Sequence, residues 1–208
     1  MRTAFHRRER TRLLTPTLST PIPPCQPWRS ITSAAPLLGL DPVNTFVGRD
    51  WHRTIDDNWP RFLATWRPLV KFAEDHGVRS GIENCPMLFT KDEWPGGKNL
   101  MTTPAFGLDY DPSHFVLQGM DPLTPLKEFR DRIFNVRAKD VRLDARAIAE
   151  VGRFDFPHRW HQPRIPGFGE FDWVFFVGEL MRTGYDGPVC IAVEDDTFGK
   201  SLAGRMRA

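Results

Sequence analysis

The sequence predicts an α/β fold, a parallel sheet or barrel built from alternating strands and helices. Three observations carry this. From residue 43 onward, short apolar runs of strand length alternate with stretches at helical spacing. The strand candidates share a polar or ionisable residue at their carboxyl ends, the edge where parallel α/β folds bind ligands. The 208 residues, 40% hydrophobic and 26% charged, suit one soluble domain with a substantial core.

In chain order, Val43-Asn44-Thr45-Phe46-Val47-Gly48 reads as a buried strand. Thr54 to His76 follows as a helix, with Ile55, Trp59, Phe62, Leu63, Trp66, Val70, Phe72 and Ala73 on its apolar face. Thr54 or Asp56 caps its start and Gly77 ends it. Gly81-Ile82-Glu83-Asn84-Cys85-Pro86 is a short strand stopped by proline, Phe106 to Asp111 another before Pro112, and Arg132 to Asp140 a fourth. Phe171 to Thr183 is a helix with Asp172 near its start and Gly184 after its end, and Pro188 to Glu194 is the last strand. A β-then-α order of this kind implies parallel pairing. The strand-end groups are Glu83, Asp111, Lys139 with Asp140, and Glu194.

Residues 1–36 have a different composition. Arg2, Arg7, Arg8, Arg10, Arg12 and Arg29 stand against the single acid Glu9, among Pro16, Pro21, Pro23, Pro24, Pro27 and Pro36. Such a stretch is expected to pack as neither helix nor strand, and is read as a basic, proline-rich leader ahead of a barrel-type domain over 37–208. It lacks the apolar region of a secretory signal; a disordered tail or a mis-assigned start is favoured over a transit peptide or a nucleic-acid-binding arm. A net charge of +2 gives no electrostatic case for nucleic acid. No apolar run is long enough to span a bilayer. Cys25, Cys85 and Cys190 are odd in number and form no CxxC pair, which argues for reduced thiols in a cytoplasmic protein.

Several motifs then follow in a recognisable order. They are Val43-Asn44-Thr45-Phe46-Val47-Gly48-Arg49-Asp50; Glu74-Asp75-His76-Gly77-Val78 with Ile82-Glu83-Asn84-Cys85-Pro86; and Asp109-Tyr110-Asp111-Pro112-Ser113-His114. Ala138-Lys139-Asp140, Pro166-Gly167-Phe168-Gly169-Glu170-Phe171-Asp172-Trp173, Gly184-Tyr185-Asp186-Gly187-Pro188 and Val193-Glu194-Asp195 continue the series. Over residues 37–198 this pattern resembles the sugar phosphate isomerase/epimerase family, with its xylose isomerase-like TIM barrel. The resemblance implies a (β/α)8 barrel, here incomplete.

It also implies one divalent ion (Mn, Mg, Co or Zn) at the barrel mouth, polarising a substrate oxygen while carboxylates move a proton between neighbouring carbons. By resemblance, Glu83, Asp111, His114 and Glu194 are the metal-ligand candidates, and Glu83 and Glu194 the acid/base candidates. His114, Lys139 and Arg164 are candidates for binding substrate. The Gly167–Gly169 turn is a weaker candidate for closing over substrate or holding phosphate, because Glu170 and Asp172 would repel an anion. Each residue also has a plainer reading: Asp111 as a turn cap, His114 as an exposed helix-start residue, Lys139–Asp140 as a surface pair. His158 and His161 have a spacing that serves a metal only on a helix, and Pro157 and Pro163 argue for loop.

Four departures from the family pattern matter. The family strand HVHAKD reads Asn135-Val136-Arg137-Ala138-Lys139-Asp140, so a guanidinium, which has no lone pair to give, replaces a usual ligand histidine. The family strand IEVED reads Ile191-Ala192-Val193-Glu194-Asp195, so Glu194 would have to substitute from a position about 6–7 Å along the strand. Pro86, Pro95, Gly96, Gly97 and Pro104 make the crossover before Phe106 mostly loop. Finally, the count of five strands falls short of eight, with the first two strand–helix units missing or replaced by the leader; the exposed sheet edges would be covered by that leader or by a partner chain such as a second copy.

The expected function is therefore a metal-dependent isomerase or epimerase acting on a small sugar or sugar phosphate through an enediolate-like intermediate. A catalytically silent remnant with a binding or structural role is the alternative favoured by Arg137 and Ala192. An apurinic-endonuclease-like metal hydrolase ranks last, since it needs more histidine ligands and a basic groove.

Overall fold

The computed structural model describes residues 26–47, 50, 52–85, 103–153 and 160–207. Arg49, the crossover residues 86–102, His158 and Cys25 lie outside the described residues, as does the leader as far as residue 25. The described chain forms two units. One runs to Tyr110 and includes Arg132–Phe134; the other comprises Asp111–Asp131 and the chain from Asn135 onward.

In the first unit, α1 (Gln26–Ala34) precedes β1 (Val43–Thr45), α2 (Ile55–Asp75), β2 (Ser80–Glu83) and β3 (Phe106–Tyr110). α1 corrects the expectation that residues 1–36 hold no helix. Its buried residues Trp28 and Thr32, with Ala35 just beyond, repeat at i, i+4 and i+7, and Pro27 stands in the first turn, where a missing N–H costs nothing. β1 and β2 pair in parallel with Val43 opposite Ser80, and β2 and β3 pair in parallel with Glu83 opposite Asp109. α2 starts as read from the sequence: Thr54 Oγ1 accepts from Asp57 N at 3.1 Å. It ends at His76 and Gly77, the latter at φ +66°.

The apolar stripe of α2 buries Phe62, Trp66, Leu69, Val70 and Ala73. Phe62 and Trp66 meet Phe106 with ring centroids 6.4 and 6.3 Å apart, and Trp28 stands edge-on to Trp66 at 6.3 Å. The sheet approaches its cover closely at Gly107. A Cβ there would lie 2.3 Å from the Arg132 carbonyl and 2.6 Å from the Phe134 ring.

The second unit holds α3 (Ser113–Gln118), α4 (Leu123–Glu128), most of β4 (Ile133–Ala138), β5 (Asp140–Leu143), α5 (Ala145–Val151), β6 (His161–Arg164), α6 (Trp173–Arg182), β7 (Val189–Ile191) and α7 (Leu202–Arg205). β4 pairs in parallel with β7, Val136 opposite Val189 and Ala138 opposite Ile191. The strand expected over Arg132–Asp140 ends at Ala138; the chain turns at Lys139, and Asp140 opens β5, which pairs antiparallel with β6. His161 is thus the first residue of a strand rather than loop, and Pro163 is tolerated in that two-stranded pairing because each strand has a free edge. α6 begins where Asp172 accepts from Phe175 N at 2.9 Å and buries Phe176, Glu179 and Leu180.

Candidate functional site

Tyr110 ends β3, and the next residues are built to hold a carboxylate still. Asp111 is fully buried, and its Oδ1 accepts from Ser113 N at 2.9 Å and from Ser113 Oγ at 2.6 Å. Pro112, at φ −64°, already has helical torsions and starts α3. The turn-cap reading of Asp111 therefore accounts for one oxygen. Its other oxygen, Oδ2, faces Lys139 Nζ at 2.8 Å and His114 Nε2 at 3.4 Å.

His114, on the first turn of α3, is buried rather than exposed. Lys139 Nζ approaches His114 Nε2 at 3.2 Å. An ammonium has only donors, so it meets the imidazole lone pair. Glu194, just beyond β7, places Oε1 3.7 Å from the same Nζ. Lys139 is only 5% exposed, whereas the Glu194 side chain is 42% exposed. Four of the six residues singled out from the sequence thus meet within one unit, Asp111, Lys139 and Glu194 just after strands and His114 on the helix that follows Asp111.

The surface-pair reading of Lys139–Asp140 is corrected, because both side chains are buried. Asp140 is a loop anchor. Its Oδ2 accepts from Gly167 N at 3.0 Å, Gly169 N at 3.1 Å and Trp173 Nε1 at 3.1 Å, while Oδ1 accepts from Val141 N at 2.7 Å and Phe171 N at 3.2 Å. The amides of the Gly167–Gly169 turn are thereby committed to an internal carboxylate, which removes the phosphate-cradle expectation. A Cβ on Gly169 would lie 2.2 Å from Asp140 Oδ1. The sequence signal for this anchor was Asp140 itself, directly after a strand-end lysine.

Arg164 is committed to Asp195, with Nε 3.2 Å from Oδ2, and its Nη1 lies 3.5 Å from Thr197 Oγ1. Burial pushes the Asp195 carboxyl upward, but hydrogen bonds from Thr197 and from Ile165 N, with the Arg164 charge, outweigh it and hold it below its ordinary value. Sequence reasoning passed over Asp195 because Glu194 beside it drew the assignment. In the first unit, Glu83 closes β2 as a buried carboxylate, followed by buried Asn84 and half-buried Cys85.

The xylose isomerase-like TIM barrel family matches residues 28–207. The chain belongs to that family. Its parallel strands β1, β2, β3, β4 and β7 number five among the described residues, against the eight of a closed barrel, so the fold is an incomplete (β/α) barrel. Uncharacterized protein YfiH of Bacillus subtilis (strain 168) is 29% identical over 149 residues, covering 65% of this chain and 47% of that protein. An inosose dehydratase of Clostridium tetani (strain Massachusetts / E88) is 30% identical over 99 residues, covering 46% of this chain and 33% of that protein. The chain thus spans less than half the length of these curated relatives. Among solved structures, the IOLI protein with a bound zinc atom aligns with a TM-score of 0.63 at 18% identity, covering 79% of this chain and 58% of that one, a likeness of fold. Relatives of this barrel include sugar-modifying enzymes, isomerases, epimerases and dehydratases alike. No helix among the described residues is long and apolar enough to cross a membrane.

The family raises the question of a divalent ion, which asks for oxygen or nitrogen ligands at about 2.0–2.6 Å. Asp111 Oδ2, His114 Nε2 and Glu194 Oε1 are ligand atoms of the right kind. What they surround is Lys139 Nζ, at 2.8, 3.2 and 3.7 Å. A dication about 3 Å from that ammonium would be repelled by on the order of 10 kcal/mol at an effective dielectric constant near 20. Arg137, two residues before Lys139, adds a second fixed positive charge nearby in sequence, and Ala192 supplies no ligand. The residues of this unit, as folded, do not fit a metal ion and Lys139 together.

Proposed function

We propose that the protein acts on a small sugar or sugar phosphate by taking a proton from the carbon beside a carbonyl and returning it to the former carbonyl carbon, an isomerisation, or to the opposite face of the same carbon, an epimerisation. The observation that carries this reading is the convergence of Asp111, His114 and Glu194 on Lys139 Nζ at the carboxyl ends of the strands. The Lys139 ammonium donates to the substrate carbonyl oxygen and stabilises the negative charge that grows there as the enediolate forms. Glu194, the exposed carboxylate of the group, takes the proton from the adjacent carbon. In an isomerisation the proton returns to the former carbonyl carbon while the hydroxyl proton of the adjacent carbon passes to the former carbonyl oxygen; in an epimerisation it returns to the same carbon on its other face and the carbonyl is restored. His114 and Arg164 are the further candidates for binding substrate hydroxyls, Asp111 fixes Lys139, and Glu83 is the second acid/base candidate. A Mn, Mg, Co or Zn ion on Asp111, His114 and Glu194 would require Lys139 to withdraw.

The test is solvent deuterium incorporation, followed by NMR, across a panel of ketoses, aldoses and their phosphates. Exchange at the carbon next to the carbonyl is expected in the wild type and lost in E194Q and K139M. Loss of water from the substrate in place of exchange would move the assignment to a dehydratase. No exchange and no elimination by folded protein would sink the enzymatic reading. The silent-remnant reading, supported by Arg137 and Ala192, would then stand.

A further inference from the structure

We propose that Lys139 is the resident cation of this site, its ammonium occupying the space between the candidate ligand atoms, so that the protein does not take up a divalent ion there. The inference rests on the reading that the Asp111–His114–Lys139–Glu194 cluster is the functional site, but it concerns what the cluster binds, not what it catalyses.

Three observations support it. First, two carboxylate oxygens and one imidazole nitrogen, a donor set suited to a cation, are already directed at one positive atom, Lys139 Nζ. Second, that atom is held in place. Lys139 sits at the turn between β4 and β5, where Lys139 N donates to Arg137 O at 3.0 Å, and the next residue, Asp140, is fixed by five hydrogen bonds. The backbone carrying the lysine is fixed, and its side chain is buried, with 7% of it exposed, so the ammonium has little free space to turn into. Third, the sequence changes agree in sign. Arg137 carries a positive charge two residues before Lys139, and Ala192, two residues before Glu194, offers no ligand atom; by the resemblance these positions would hold an imidazole and a carboxylate. A site that keeps a fixed monovalent cation needs fewer negative ligands than one that binds a dication; both positions lack a ligand, Arg137 adds positive charge and Ala192 brings no negative charge.

An ammonium also differs from a metal in what it can do. It donates three hydrogen bonds in place of open coordination positions, and chelators cannot remove it. The site would stabilise a growing oxyanion by hydrogen bonding and charge alone.

The test is Mn²⁺ binding to the full chain, by titration calorimetry and by the electron paramagnetic resonance signal of free Mn²⁺. Wild-type protein, stripped with chelator, is expected to show no binding tighter than about 1 mM, a dissociation constant that corresponds to about −4.1 kcal/mol. K139M is expected to gain at least tenfold in affinity, because it leaves Asp111 and Glu194 facing each other without the ammonium, and K139R is expected to behave like wild type. Adding D111N to K139M should abolish the gained binding. Micromolar Mn²⁺ binding by the wild type, lost in D111N, would overturn the proposal without recourse to any lysine variant. A folded K139M that still ignores Mn²⁺ would also overturn it. If K139M does not fold, K139Q serves in its place. The readout is separable from the proposed reaction. A chain with no exchange activity but the expected Mn²⁺ pattern keeps this inference and loses the catalytic one, whereas a chelator-sensitive activity does the reverse.

Discussion

Asp140→Ala should be the most damaging single polar substitution in the second unit. The carboxylate is fully buried and takes five hydrogen bonds, four of them from the segment 167–173. Alanine leaves all five donors without their acceptor. The Gly167 and Gly169 amides and the Phe171 amide are only partly buried, so water can reach some of them. If two donors stay dry, at about 1–3 kcal/mol each, the loss is about 4 kcal/mol. For a chain of this length each kcal/mol lowers the melting temperature by roughly 2–4 °C, so the expected fall is roughly 8–16 °C. The isosteric Asp140→Asn keeps the shape but turns an amide NH2 toward one set of donors, and should lose at least half as much. The assay is thermal unfolding by near-ultraviolet circular dichroism, to which Trp173 contributes as one of seven tryptophans. A fall of less than about 2 °C in the alanine variant would refute the view that this carboxylate organises the segment.

Three further outcomes follow from the same structure. Gly107→Ala must push a methyl into the Arg132 carbonyl, which is backbone and cannot rotate away; a loss of about 1–3 kcal/mol in urea unfolding is expected, and an unchanged midpoint would contradict the close approach. Thr54→Ala removes the oxygen that caps α2 and should cost about 1 kcal/mol, with Thr54→Ser restoring it, read from the same urea curves. Asp195 has a folded pKa below its ordinary 3.8, so its stabilising contribution is complete above that value and fades as pH falls through the folded pKa. The stability gap between wild type and Asp195→Asn should therefore be flat from pH 7 to about 5 and shrink below about 4; a gap that widens in acid would show the sign to be wrong.

Local pattern made much of this molecule legible. The five parallel strands could be read because their residues are apolar in short runs and their neighbours are turn formers. α2 could be read because Phe62, Trp66, Val70 and Ala73 repeat at helical spacing between a threonine cap and a glycine stop. The strand-end groups Asp111, Lys139 and Glu194 could be read because a parallel sheet points its carboxyl ends one way.

The antiparallel pair β5–β6 was missed for a physical reason. Asp140-Val141-Arg142-Leu143 and His161-Gln162-Pro163-Arg164 carry no shared apolar face, and their pairing is fixed by the Asp140 anchor and the turn at Lys139 rather than by hydrophobic alternation. α1 was missed because prolines on both sides masked a helix whose own residues, Gln26–Ala34, include a single proline in the first turn. The occupant of the site was also hidden. Spacing shows that a lysine and two acids lie near one edge, but not that the ammonium lands between them.

β7 ends the second unit's sheet with β4 as its one hydrogen-bonded neighbour among the described residues. Its three side chains, Val189, Cys190 and Ile191, carry no charge, and Val189 and Ile191 are 54% and 60% exposed. No charged side chain on this strand discourages a second molecule from laying its own backbone alongside, and the exposed thiol of Cys190 is open to oxidation in air. Purified protein should therefore keep best dilute and under reductant, and a lysine at Val189 is the change most suited to prolonging its life in the tube.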